Sequence, residues 1–125
     1  MSEPHPHEVT LRTIAMPADA NANGDMFGGW LLSQMDMAGG SAAVQRAGGR
    51  VVTVAMDAIV FLEPVDIGDE LSCYTSIRRV GTTSITIDVS AWKRNRAEVD
   101  RVKVTAGVFT YVKIDENRRP IPIAK

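Results

Sequence analysis

With 125 residues, 45% of them hydrophobic and 23% charged, the chain is sized for one domain with a substantial core and not for two. A formal net charge of −1 lacks the basic excess of a general nucleic-acid binder, and a single cysteine, Cys73, excludes an intrachain disulfide. The opening MSEPHPHEV has neither the basic nor the apolar region of a signal peptide, and no uncharged apolar run reaches the roughly 18 to 20 residues of a membrane span. The expected setting is therefore the cytoplasm, with no membrane and no nucleic acid as partner.

Residues 1–7 are polar and proline-bearing and read as a flexible tail. His5 and His7 flank Pro6 there, and with no other histidine in the chain no metal site is expected. The domain proper spans 8–118, followed by a short basic tail at 119–125. Glu8 to Ala15 alternates weakly, as an edge-like first strand ending before Pro17. A loop rich in turn formers, Asn21-Ala-Asn-Gly-Asp25, leads into a long apolar helix from Met26 to Ala47. Gly48-Gly49 stops that helix, with Arg46 well placed in its last turn.

The period then changes. Val51 to Leu62 is almost continuously apolar, which suits a central strand buried on both faces. Asp66-Ile-Gly68-Asp69 is turn chemistry. Leu71 to Val80 has period-two spacing, with Leu71, Cys73, Thr75 and Ile77 together. Ser84 to Trp92 aligns Ile85, Ile87, Val89 and Ala91. After a polar connection over 93–101, the last strand, Val102 to Ile114, is expected to place Val102, Val104, Ala106, Val108, Val112 and Ile114 on one face. The fold class is α+β: an antiparallel sheet wrapped around one long central helix.

Asp36 is the discordant residue. A helix apolar all round is buried, and a buried carboxylate costs several kcal/mol unless it is paired or used. Ser33, one turn away, is the only helical neighbour able to satisfy it. The plainer reading is a structural hydrogen bond; the functional one is a general base or nucleophile. Gly39-Gly40 lies in mid-helix, where each glycine costs about 1 kcal/mol relative to alanine. Close packing of the sheet explains the pair, and a channel for a slim ligand is the alternative.

At the helix start, the N–H groups of Phe27 and Gly28 lack intrahelical partners and can hold a developing oxyanion, unless the Asp25 side chain caps them. Phe27 and Gly29 flank this point as substrate contacts. Asn21 can orient water or a carbonyl, although loop asparagines usually serve the turn. Gly28 and Asp36 are eight residues apart, about 12 Å along one helix axis. A base and an oxyanion donor must converge on one carbonyl, so two helices side by side, each giving Asp36 to its partner's Gly28, solve the geometry. Of the basic residues on strand ends and connections, Arg78 and Arg94 are candidates to hold a phosphorylated ligand. Surface solvation is the alternative.

Arg12-Thr-Ile-Ala-Met-Pro17, Asn21-Ala-Asn-Gly-Asp25, Phe27-Gly-Gly-Trp30 and Ser33-Gln-Met-Asp36 together resemble the YciA-like acyl-CoA thioesterases. Arg50-Val-Val-Thr-Val54 and Phe61-Leu-x-Pro64-Val-x-x-Gly68-Asp69 are similar as well, so the resemblance covers residues 8 to about 115. It implies the hotdog fold and hydrolysis of acyl-CoA to a free acid and coenzyme A, with no metal or redox cofactor. It also implies Asp36 as base or nucleophile, the Gly28 N–H as carbonyl polariser and Asn21 as helper. Where related hotdog enzymes often carry histidine before the glycine pair, this chain has Phe27. The resemblance implies a homodimer, assembled as a trimer of dimers. Two rivals are a non-catalytic acyl-CoA binder on the same fold and a dehydratase or hydratase, the latter lacking its usual site histidine here. Met26, Phe27, Trp30, Met35 and Met56 could line an acyl tunnel or simply fill the core.

Overall fold

The computed structural model describes residues 3–4 and 8–125; both histidines, and with them most of the expected N-terminal tail, lie outside the described residues. The chain runs β1 (Leu11–Ile14), a 3-10 turn (Pro17–Asp19), α1 (Gly28–Ala47), β2 (Val51–Phe61), β3 (Glu70–Val80), β4 (Ser84–Arg94) and β5 (Val102–Lys113). The strands form one antiparallel sheet in the order β1-β3-β4-β5-β2, and α1 lies against all five. This is the expected sheet wrapped over one helix. No helix among the described residues is long and apolar enough to cross a membrane.

The stop of α1 is the one its sequence specifies. Gly48 takes a left-handed φ of 71° and its N–H donates to the Val44 carbonyl at 2.9 Å. Leu31, Met35, Ala38, Gly39, Ala43 and Ala47 face the sheet and are buried. A Cβ on Gly39 would lie 2.3 Å from the Tyr111 hydroxyl, whereas one on Gly40 would make ordinary contact with the same ring at 3.8 Å. Close packing thus accounts for Gly39. The helix is not buried all round, however: Met37 and Val44 are 53% and 45% exposed on the side away from the sheet.

β4 buries Ile85, Ile87, Val89 and Ala91 as its alternation predicts. β5 does not keep the expected face. Between the pairs Ala91–Thr105 and Trp92–Lys103 it carries one extra residue, a bulge that reverses its phase. Gly107, Phe109 and Tyr111 therefore face the core, while Val102 is exposed and Ala106, Val108 and Val112 are half-buried.

β2 is a larger correction. It is an edge strand paired only with β5, and Val54, Met56, Val60 and Phe61 are each between 41% and 55% exposed. A continuous apolar run reads the same whether its own sheet or another chain covers it. Two register shifts break its pairing, and the second includes Ala58 at a φ of 53°. That shift drops Ile59 onto Gly107, where a Cβ would be 2.3 Å from the Ile59 methyl.

The segment 119–125 is no free tail. It folds back through an Ile114–Pro120 bridge, Ile121 N–H donates to the Lys113 carbonyl at 3.0 Å, and Ile123 sits in the core at 4% exposure. At the other end Glu3 accepts a hydrogen bond from the Tyr74 hydroxyl and lies 3.5 Å from Arg101 Nε.

Candidate active site

The Asn21–Asp25 loop closes on itself. Asn21 N–H donates to the Asp25 carbonyl at 2.8 Å, and Gly24, at a φ of 89°, donates to the Asn21 carbonyl at 3.2 Å. Asn21 Oδ1 accepts from the Asn23 N–H at 2.9 Å, which is turn chemistry. Its Nδ2 has no acceptor among the described residues and remains a free donor. The turn after β2 clamps this loop from behind: Met26 N–H donates to the Val65 carbonyl at 2.8 Å, and Asp25 bridges Asp66. Asp69, 3% exposed, fixes that turn by accepting the Asp66 N–H at 3.0 Å.

Asp25 is therefore not the helix cap. The N-cap is Phe27, which supplies only its carbonyl, accepting from Trp30 and Leu31 N–H at 3.1 and 3.3 Å. No side chain caps the helix, and the N–H groups of Gly28 and Gly29 open outward without an acceptor among the described residues. Gly28 forms part of the wall of a cavity of about 370 Å³, with Met26, Leu31, Phe61, Leu62 and Val65. A Cβ at position 28 would stand 3.2 Å from the Phe61 ring. Phe27 is 58% exposed beside it. Of the other proposed tunnel residues, Met35 is fully buried core, Trp30 packs against that core, and Met56 is exposed.

Asp36 is half-exposed in the single chain, not buried, and Ser33 does not reach it, bonding instead to the Trp30 carbonyl at 2.8 Å. Two hydroxyls that sequence reasoning missed hold it. Thr53 Oγ1 donates to Asp36 Oδ1 at 2.8 Å, and the Tyr111 hydroxyl reaches the same oxygen at 2.9 Å and the Asp36 carbonyl at 3.0 Å. Both side-chain bonds fall on Oδ1, and Oδ2 has no partner among the described residues. Burial first, and the bond to Asp36 second, push the Tyr111 phenol well above its ordinary value, so it stays a donor at neutral pH. Gly39 is what admits that hydroxyl. The available signal was slight: one threonine inside an apolar strand, and a tyrosine that needed a partner once buried.

Gly28 and Asp36 of one chain do not converge, since eight helical residues separate them by about 12 Å. Arg78 lies in a two-pronged pair with Asp88 at 2.7 and 3.1 Å. Arg94, with Arg12 and Arg101, surrounds Glu70, whose carboxyl is held below its usual range chiefly by the Arg94 hydrogen bond. Burial pushes the Cys73 thiol up to about 12, which removes it as a nucleophile. Among the described residues no three His, Cys, Asp or Glu side chains gather as a metal site.

A carboxylate with one anchored and one free oxygen, and an uncapped helix start beside an apolar cavity, are the parts of an acyl-transfer site. The family model of the thioesterase superfamily matches residues 23–100. The acyl-CoA thioester hydrolase YciA of Salmonella typhimurium is 48% identical over 119 residues, covering 93% of this chain and 90% of that one. The hexameric thioesterase y2039 of Yersinia pestis superposes with a TM-score of 0.90 at 47% identity, covering 94% of this chain and 96% of that one. A hexameric hotdog fold thioesterase of Campylobacter jejuni gives a TM-score of 0.87 at 42% identity, covering 94% and 90%. The chain belongs to the thioesterase superfamily, as a YciA-like acyl-CoA thioester hydrolase of hotdog fold.

Proposed function

We propose that the protein hydrolyses acyl-CoA thioesters at a site shared by two chains, using no metal or redox cofactor. Asp36 of one chain acts through Oδ2, as general base on water or as nucleophile, on a carbonyl polarised by the partner's Gly28. As a base, the carboxylate takes the proton of a water that attacks the thioester carbon, the C–S bond breaks, and coenzyme A leaves as the thiol once it recovers that proton. As a nucleophile, it forms a mixed anhydride that water then cleaves. Asn21 Nδ2 serves as a donor to water or carbonyl, and the cavity behind Gly28 receives the start of the acyl chain.

The observation that carries this reading is the pair of hydroxyls on Oδ1, which fixes Asp36 while leaving Oδ2 free. The sharing between chains rests on the separation of Asp36 from Gly28 and on the apolar side chains exposed along β2 and at Met37 and Val44. A homodimer formed there, with three such dimers assembled, agrees with the hexamers described for the Yersinia and Campylobacter relatives. Asp36→Asn tests the chemistry. A folded variant should lose about 10²-fold or more in kcat on an acyl-CoA panel, and near-native turnover would remove Asp36 from the mechanism. A non-catalytic binder, in contrast, would show coenzyme A affinity in the native protein without turnover.

A further inference from the structure

The cavity beside Gly28 carries one charged side chain that the chemical step does not use. Its wall is otherwise Met26, Leu31, Phe61, Leu62, Pro64 and Val65, and Glu63 is its only ionisable member among the described residues. The segment that presents Glu63 is held on both sides. Leu62 N–H donates to the Val104 carbonyl at 2.8 Å, and the Val65 carbonyl accepts the Met26 N–H at 2.8 Å. The Glu63 side chain is exposed and has no hydrogen bond or ion pair among the described residues. Lys93 Nζ donates to the carbonyl of Pro64, the next residue along, and not to Glu63. No contact within the fold accounts for an acid at this point of an apolar wall.

A rounded space of about 370 Å³ is about 9 Å across, close to the screening length of physiological salt. A charge placed inside it therefore feels Glu63. A neutral acyl chain entering there buries its methylene groups against Met26, Leu31 and Val65 and is stabilised by doing so. An acyl chain that ends in a carboxylate loses hydration against the same wall and meets a like charge. No arginine or lysine among the described residues lines the cavity to receive that carboxylate. An unfavourable charge selects between ligands as well as a favourable contact does.

We infer that Glu63 is a specificity residue: it turns away acyl groups that end in a carboxylate, so that neutral acyl chains are the substrate class. The inference rests on the acyl-CoA thioesterase reading above, with the acyl chain in the cavity beside Gly28. Glu63 acts on the far part of that chain, and so on the choice between substrates rather than on the breaking of the C–S bond.

The test compares hexanoyl- and glutaryl-coenzyme A, whose acyl groups are similar in length and differ in the terminal carboxylate. Native protein should have the higher kcat/KM on the hexanoyl ester. Glu63→Gln should lower the hexanoyl-to-glutaryl ratio of kcat/KM about fivefold, through a lower KM for the glutaryl ester. Glu63→Lys, which reverses the charge, should lower the ratio further. A role in folding or solubility would move both esters alike and leave the ratio where it was. A native preference for the glutaryl ester, or an unchanged ratio in both variants, would overturn the assignment. Native protein that hydrolyses neither ester would instead overturn the thioesterase reading itself.

Discussion

The two edges of the sheet are built on opposite principles. β1 is four residues long, ends at Ile14 beside Glu70, and is locked to β3 by backbone pairing and by the Arg12–Glu70 contact. β2 is eleven residues long, pairs on one side only, and exposes Val54, Met56, Val60 and Phe61. A short, charge-guarded edge resists pairing, whereas a long apolar edge invites it. The contrast supports the proposed pairing of two chains along β2. That edge also carries Thr53 and Phe61, next to Asp36 and Gly28.

Charging the open edge should have the largest effect. Met56→Lys with Val60→Lys is expected to shift the protein to monomers in sedimentation and to cut kcat about 10²-fold, because neither half-site is then completed. Ile14→Lys, 42% exposed at the closed edge, should leave the assembly unchanged. Equal effects at the two edges would break the comparison.

A smaller effect is expected inside the helix. Gly39→Ala adds a methyl that would meet the Tyr111 hydroxyl at 2.3 Å, against a gain of about 1 kcal/mol in helix propensity. Overpacking typically costs 1–3 kcal/mol, so denaturant unfolding should show net destabilisation of about 1 kcal/mol. Turnover should fall as well, since the hydroxyl leaves Asp36. A more stable and fully active variant would mean that the Tyr111 contact is not needed.

The mildest prediction concerns the closed edge. Glu70 has a lowered carboxyl pKa, so its contribution to stability is complete above its unfolded value near 4.5 and is lost as pH falls through its lower folded value. Glu70→Gln should therefore lose less stability than native protein between neutral pH and that acid range, measured by thermal unfolding across a pH series. An unchanged slope would show that the arginine cluster does not hold that proton equilibrium.

Much of this was legible in the chain because it was local. β4 was written in strict alternation, the stop of α1 in a glycine pair, and Asp36 in its isolation among apolar neighbours. The rest required distant residues to meet. Thr53 and Tyr111 lie 17 and 75 positions from Asp36, and no periodicity links them. The bulge in β5 turned a correct strand to the other face. β2 was given a central place because an apolar run does not say whose surface covers it. Arg78 and Arg94 fitted a phosphate-binding role by residue type, but Asp88 and Glu70, from neighbouring strands, engage both.

The central claim is that each site draws its carboxylate and its peptide dipole from different chains, and mixing two inactive variants tests it most directly. Gly28→Pro removes one N–H at the first helical position, where proline is tolerated, and Asp36→Asn removes the carboxylate. Unfolded together and refolded as a mixture, the two should recover roughly a quarter of native activity, because random pairing gives each mixed dimer one intact site. If the mixture stays as inactive as either variant alone while mixed dimers demonstrably form, the site belongs to a single chain and the account is wrong.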